Sequence, residues 1–97
     1  MGQPIQVAAR AIGDVGLFDT DRSLTGQDGV GFGSLEEARA GLGLGASLAV
    51  RLFESDGDLD HVFVASNVVA ARRSGTWSDE QLDHLTAIIG DFFVFYR

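Results

Sequence analysis

The stretch GDFFVFY, Gly90 to Tyr96, decides between two folds for this chain of 97 residues. Its first two residues are typical of a helix end, and the five residues from Phe92 to Tyr96 are aromatic or β-branched, the types enriched in strands. If the preceding helix continued instead, Val94 and Phe95 would turn toward solvent. We therefore favour a final strand and keep a long C-terminal helix over residues 78–96 as the alternative.

A helix beginning at Ser78 leads into this stretch. Ser78 and Gln81 form a capping box, in which the serine side chain and the glutamine side chain each accept a hydrogen bond from the other's backbone amide. Leu82, Leu85 and Ile89 follow at spacings of three and four residues. That spacing predicts a buried stripe on one side of the helix.

The central part of the chain predicts a β-hairpin. The segment SLAVRLFE, Ser47 to Glu54, alternates in a way that is typical of a strand, and Asp56-Gly57 is a typical hairpin turn. The segment HVFVASNVVAA, His61 to Ala71, is apolar at nearly every position. Such a pattern indicates a central strand that is covered on both faces.

The N-terminal part predicts a strand, a long loop and a helix. IQVAARAI, Ile5 to Ile12, alternates and predicts the first strand. Residues 13–33 hold six of the thirteen glycines together with several aspartates, which predicts a long Gly/Asp-rich loop with room for a small hairpin. Ser34-Leu-Glu-Glu37 is a second capping box, so a helix begins at Ser34, and three glycines between residues 41 and 45 end it.

With the final strand included, these elements predict one α+β domain over residues 1–97. Their order is βαββαβ, that of a two-layer ferredoxin-like sandwich, with the long Gly/Asp-rich loop after its first strand. Right-handed crossovers place both helices on one face of the sheet, whose strand order would be 4-1-3-2. The other face of the sheet would then have no helical cover.

The composition excludes several classes of partner and site. Fourteen acidic residues against seven arginines give a formal net charge of −7, which repels nucleic-acid phosphates and anionic lipids. Without cysteine there are no disulfides, thiolate metal sites or thiol nucleophiles. We therefore expect no nucleic-acid partner and no membrane partner. No apolar run is long enough to span a bilayer and no secretion signal is recognisable, so a cytoplasmic protein is expected.

One motif resembles a metal site and fails on inspection. Asp56, Asp58 and Asp60 alternate like the first ligands of a calcium loop. His61 stands where that loop needs a glycine, and Asn67 stands where it needs a bidentate glutamate. A solvated acidic turn explains the three aspartates better. We predict no metal, no cofactor and no catalytic residue.

The uncovered sheet face supplies the leading functional hypothesis. An apolar face open to solvent is typical of a surface that meets another protein, and an unprotected last strand at the sheet edge favours pairing with another chain. We expect a non-enzymatic accessory or assembly subunit that acts through protein–protein contacts, by self-association or by docking to a larger complex. The predicted contact residues are Phe53, Phe63, Val69, Phe92, Phe93, Phe95 and Tyr96.

Two other hypotheses stay open. In the first, Arg10, Arg51, His61 and Asn67 lie together on the open face and hold a small molecule, as in a small dimeric ferredoxin-like enzyme or binder. This reading depends on a strand register that local patterns do not specify. In the second, the chain is an acidic inhibitor that mimics nucleic acid, although its acidic residues are spread through the predicted loops.

Overall fold

The computed structural model describes residues 6–21 and 29–95, with side chains described through Phe92. Ile5 and part of the predicted long loop, residues 22–28, lie outside the described residues. The elements in chain order are β1 (Val7–Ile12), β2 (Val15–Thr20), β3 (Val30–Phe32), α1 (Leu35–Ala40), α2 (Leu44–Ser55), β4 (Leu59–Ala65), β5 (Val68–Arg73) and α3 (Asp79–Phe95).

The five strands form one antiparallel sheet in the order β1-β2-β5-β4-β3. Two tight hairpins build most of it: β1 and β2 turn at Gly13-Asp14, and β4 and β5 turn at Ser66-Asn67. Gly13 and Ser66 have positive φ angles of 61° and 54°, as two-residue hairpin turns require. The edges of the sheet are therefore β1 and the much shorter β3.

The core lies between one face of this sheet and the helices. Phe18 of β2, Val64 of β4 and Val69 of β5 point into it and are fully buried, and Leu52 of α2 and Ile89 of α3 meet them from the helical side. Helix α2 packs on β3 and β4, and α3 packs on β1 and α2. We call this side of the sheet the covered face and the opposite side the open face.

The predicted strand over Ser47 to Glu54 is wrong, because these residues belong to helix α2. Leu48 and Leu52 alternate with their neighbours, but they are also four residues apart and therefore share one side of a helix. Both are fully buried, whereas Arg51 is exposed. The turn at Asp56-Gly57 consequently joins a helix to β4 instead of closing a hairpin.

The predicted single strand over His61 to Ala71 is also wrong. It consists of β4 and β5, which pair with each other across the Ser66-Asn67 turn. Side chains alternate between the two faces in each strand, but the open-face residues Phe63, Ala65, Val68 and Ala70 are apolar as well, so the polar alternation of a half-exposed strand is missing. The continuous apolar run thus reflects a hairpin with one covered face.

The final segment is helical, and the favoured strand over Phe92 to Tyr96 is wrong. Helix α3 runs unbroken from Asp79 to Phe95, so the alternative of a long C-terminal helix is confirmed up to Phe95, while Tyr96 lies outside the described residues. Leu85, Ile89 and Phe92 continue one buried stripe, and this burial outweighs the strand preference of the aromatic residues. The architecture is α+β, but the ferredoxin-like βαββαβ order is not matched.

The local predictions are more successful. Glu37 N donates to Ser34 Oγ at 3.1 Å, and Gln81 N donates to Ser78 Oγ at 3.2 Å, which confirms both helix starts. The Ser78 amide donates to Gln81 Oε1 at 2.8 Å. Glu37 reaches one residue further back than predicted and accepts from Gly33 N at 3.2 Å. The first strand is confirmed over Val7–Ile12. The two described strands within the predicted loop, β2 and β3, do not pair with each other, because β2 pairs with β1 and β5 and β3 pairs with β4.

Candidate protein-contact face

Strand register sorts the side chains of the open face into three rows that cross the sheet. Within a row, residues on neighbouring strands are direct cross-strand partners, so their side chains touch or nearly touch. The first row is Ala8, Asp19, Val68 and Ala65; the second is Arg10, Leu17, Ala70, Phe63 and Gly31; the third is Ile12, Val15, Arg72 and His61.

Most of these side chains are apolar, and the larger ones are open to solvent. Ile12 is 63% exposed and Phe63 is 39% exposed, although both are large hydrophobic residues on a sheet. Leu17, Val15 and Val68 between them are half-buried by their strand neighbours. Among the described residues, no helix crosses this face. The apolar members of the three rows are neighbours across the sheet from β1 to β4, and Arg10, Asp19, Arg72 and His61 lie among them.

Glycines on β3 extend this surface to the sheet edge. A Cβ atom at Gly29 would lie 2.9 Å from Phe63 Cζ, and one at Gly31 would lie 3.1 Å from Phe63 Cδ1 and 3.1 Å from His61 Nε2. The rings of Phe63 and His61 therefore lie against the backbone at Gly29 and Gly31, and larger residues at these two positions would clash with them. Gly29 also has φ of 70°, which favours glycine.

The charge of the open face differs from that of the whole molecule. Within the three rows it carries Arg10 and Arg72 against the carboxylate of Asp19, whereas the chain as a whole has a formal charge of −7. Within the part of the chain that the structure describes, none of these three side chains forms an ion pair or a side-chain hydrogen bond. Three other arginines do contact a carboxylate or an aromatic ring. Arg10 and Arg72 in these rows thus have no ion-pair partner among the described residues.

The predicted contact residues divide between the two faces of the sheet. Phe63 lies on the open face. Phe53 is buried in α2, Val69 is buried on the covered face of β5, and Phe92 is buried in α3, so these three are core residues. The prediction fails for Phe53 and Phe92 because their segments are helical. It fails for Val69 because the Ser66-Asn67 turn changes which residues of the segment face the helices.

The remaining predicted contact residues lie at the chain end. Phe93 and Phe95 belong to α3, and their side chains are outside the description. Tyr96 lies beyond the described residues. Ile12, Leu17 and Val68 also belong to the face, although the sequence patterns did not predict them as contact residues. The alternation of Ile5 to Ile12 and the apolar residues of Val15 to Phe18 are the signal for such a face, but neither pattern identifies the partner strands.

The four residues of the predicted pocket are not brought together. Arg10 and His61 lie on the open face, in different rows and on strands β1 and β4. Arg51 is on α2, in the helical layer, where its guanidinium lies 6.0 Å from the centre of the Phe92 ring. Asn67 is in the β4–β5 turn, and its Nδ2 donates to the carbonyl oxygen of Thr20 at 3.0 Å. Asn67 thereby has a structural role at the end of β2.

The aspartates of the acidic turn have a partner that the sequence did not reveal. Arg73 is only 4% exposed, and its guanidinium donates to Asp56 Oδ2 at 2.6 Å and to Asp58 Oδ2 at 3.3 Å. The same group lies 4.9 Å from the centre of the Trp77 ring, a cation–π distance. This cluster joins the end of α2 to β5 and to the start of α3. The predicted solvated acidic turn is therefore tied to the rest of the fold by the ion pairs of Asp56 and Asp58 with Arg73.

A depression of about 330 Å³ lies beside the β1–β2 hairpin and is lined by Gln6, Val7, Ala8, Asp19, Thr20 and Asp21. Its one hydroxyl, Thr20 Oγ1, donates to the carbonyl oxygen of Asn67 at 2.9 Å. In the described ranges, no three His, Asp or Glu side chains are grouped so as to hold a metal ion.

Comparison with known proteins does not identify a relative. No family model matches the chain, and no curated protein or solved structure gives a significant match. Within residues 6–21 and 29–95, no helix is both long enough and apolar enough to cross a membrane. The open face, with its exposed apolar residues Ile12 and Phe63, is consequently the candidate functional site.

Proposed function

We propose that this chain is a non-enzymatic accessory or assembly subunit that binds a partner protein through its open face. The observation that carries the proposal is the set of neighbouring apolar side chains on that face, which no described helix covers and among which Ile12 and Phe63 are exposed. Folded monomers rarely leave large contiguous apolar areas in water, and those that do commonly use them for binding. Covering such a face with a second protein would remove this surface from water.

The charges of the face specify the chemistry of the partner. Arg72 stands in the third row between Val15 and His61, and Arg10 stands in the second row beside Leu17. A partner with an apolar centre and carboxylates around it would match both features. The arginine pairs would contribute orientation and speed of association, while the apolar rows would supply most of the affinity.

The size of the face indicates how the partner must bind. Strands lie about 4.8 Å apart and rise about 3.4 Å per residue, so five strands of about six residues present at most roughly 24 by 20 Å, about 480 Å² in projection. A stable protein–protein interface buries about 800 Å² on each partner. The partner therefore has to cover the whole open face and also contact residues beside it, and contact with Phe63 alone would be insufficient.

The test is site-specific crosslinking of the full chain in its native host. A photoreactive amino acid at Phe63 probes the open face, and the same amino acid at Leu42 is the control. Leu42 is 97% exposed and lies between α1 and α2, on the helical side of the molecule. We expect Phe63 to crosslink to one other protein, with acidic residues near the crosslinked peptide, and Leu42 not to do so.

A second variant checks the role of charge. Arg72→Glu should reduce the crosslink at position 63 by tenfold or more, because it replaces attraction with repulsion toward an acidic partner. Equal crosslinking at positions 63 and 42, or none at either, would contradict the proposal. A crosslink from position 63 to nucleic acid, lipid or a second copy of the chain would also contradict it, by identifying a different occupant.

A further inference from the structure

The two edges of the sheet are unequal. β3 is three residues long, whereas β1 is six residues long, and the positions from Ala8 to Ile12 are all exposed. β1 has a β-strand neighbour, β2, on one side. In the described strand no proline or bulge interrupts it. Such an edge is suited to pairing with another strand.

The register of the β1–β2 hairpin shows which backbone groups point outward. Ile12 pairs with Val15 next to a two-residue turn, so alternate residues starting at Ile12 exchange hydrogen bonds with β2. Consistent with this pattern, Asp21 N donates to the carbonyl oxygen of Gln6 at 3.1 Å. The N–H and C=O groups of the intervening residues, Val7, Ala9 and Ala11, are therefore directed away from β2.

We propose that β1 pairs antiparallel with β1 of a second copy of this chain, with Ala9 opposite Ala9. The outward groups at Val7, Ala9 and Ala11 are symmetric about Ala9, so this register forms about six backbone hydrogen bonds. The two sheets become one continuous sheet, with both helical layers on one side. This inference does not depend on the proposed function, because it uses the edge of the sheet and, of the open face, only Arg10 and Asp19, and it leaves Arg72 and the apolar side chains of that face uncovered.

Charge complementarity favours a second copy of this chain as the partner that pairs with the β1 edge. In this register Arg10 stands opposite Ala8 of the second copy, and Asp19 of the second copy is the next residue in the same row. Arg10 and that Asp19 are then two strand spacings, about 10 Å, apart. The small side chain of Ala8 lets the long arginine side chain cross it and reach the carboxylate. Two-fold symmetry forms this ion pair twice.

Neighbouring registers are less favourable. A register centred on Arg10 places the two copies of Arg10 directly opposite each other, and like charges in that position destabilise a strand pair. A register centred on Ala8 uses the outward groups of Val7 and Ala9 but leaves those of Ala11 opposite residues beyond the described strand. The register centred on Ala9 is therefore the one in which hydrogen bonding and charge agree.

The first test measures the mass of the full chain in solution by sedimentation equilibrium over a range of concentrations. The wild type should approach twice its monomer mass of 10.3 kDa. Ala9→Pro should give a monomer, because it removes the central outward N–H. The fold should survive, since that N–H makes no bond within the sheet and proline is tolerated at such edge positions. Circular dichroism checks that it does.

Charge variants test the register itself. Arg10→Glu should weaken the dimer by about tenfold or more in Kd, whereas Arg39→Glu, the same change on α1, should leave the dimer unchanged. The double variant Arg10→Glu with Asp19→Arg restores both ion pairs in reversed order and should recover the wild-type Kd within about threefold. A double variant that stays as weak as Arg10→Glu would overturn the register.

The remaining outcomes separate edge pairing from contacts of the open face. Phe63→Glu should leave the dimer intact. A wild type that stays monomeric, or a dimer that Ala9→Pro leaves intact while Phe63→Glu dissociates it, would overturn the edge pairing. Neither result decides the proposed function, because crosslinking from position 63 to a different protein is measured separately.

Discussion

Arg72 and Arg73 are neighbours in the chain, yet they experience opposite environments. Arg73 points to the covered face, where it is buried, paired with two aspartates and stacked over Trp77. Arg72 points to the open face, where it is exposed and, within the described residues, has no ion-pair partner. On the covered face the arginine forms ion pairs within the molecule, whereas on the open face the arginine has no ion-pair partner among the described residues.

The apolar residues of the two faces differ in the same way. Phe18 on the covered face is fully buried, and its ring meets that of Trp77 edge to face at 5.9 Å between centroids. Phe63 on the open face has the same side chain but remains in contact with water. Apolar character alone therefore does not identify the core, because a residue belongs to the core only where helices cover it. The same substitution made on each face should change the free energy of unfolding by different amounts.

The largest expected difference is between the two phenylalanines. Phe18→Ala should lower the free energy of unfolding by about 3–5 kcal/mol, because it opens a cavity between the sheet and the helices. Phe63→Ala should lower it by only about 1–2 kcal/mol, since the side chain is 39% exposed to water in the wild type. Urea denaturation of both variants measures the effect. Similar losses at the two positions would show that both faces belong to the core.

The two arginines provide the second comparison. Arg73→Met should cost about 2–3 kcal/mol of unfolding free energy, because it leaves the largely buried carboxylate of Asp56 without its partner. The cost stays below that of a fully buried pair, since Asp58 is 77% exposed. Arg72→Met should change stability by no more than about 0.5 kcal/mol. Thermal and urea unfolding measure both, and a loss at Arg72 that matched the loss at Arg73 would contradict the asymmetry.

Two glycines give the smallest and most local comparison. A Cβ at Gly16 on the covered face would lie 2.9 Å from two atoms of the Trp77 ring, which is held between Phe18 and Arg73. Gly16→Ala should therefore cost about 1–3 kcal/mol through overpacking. Gly31→Ala on the open face meets the rings of His61 and Phe63, which can move outward, and should cost less than about 1 kcal/mol. Equal costs in urea denaturation would mean that the open-face rings are as confined as those of the core.

Residue patterns predict the two helix starts and the first strand correctly, but they predict three segments of the fold wrongly. Ser34 and Ser78 are identifiable because each capping box is completed within three residues. Helix α2 and the end of α3 resemble strands, because the spacing of Leu48 and Leu52 suits both structures and because aromatic residues favour strands. The hairpin of β4 and β5 resembles one central strand, because both of its faces carry apolar residues. The candidate face was predicted as an apolar, uncovered sheet face, but of its predicted members with described side chains only Phe63 lies there.

Residue patterns by themselves determined the features that depend on near neighbours in the chain: the capped helix starts, the strand at Val7–Ile12, and the excess of negative charge. The tertiary structure alone decided the strand order, the register that divides the chain into two faces, and the helical state of the segment ending in Phe95. The physical reason is distance along the chain. A cap forms from groups within one helical turn, whereas the burial of Phe92 or the pairing of Arg73 requires partners supplied by other elements.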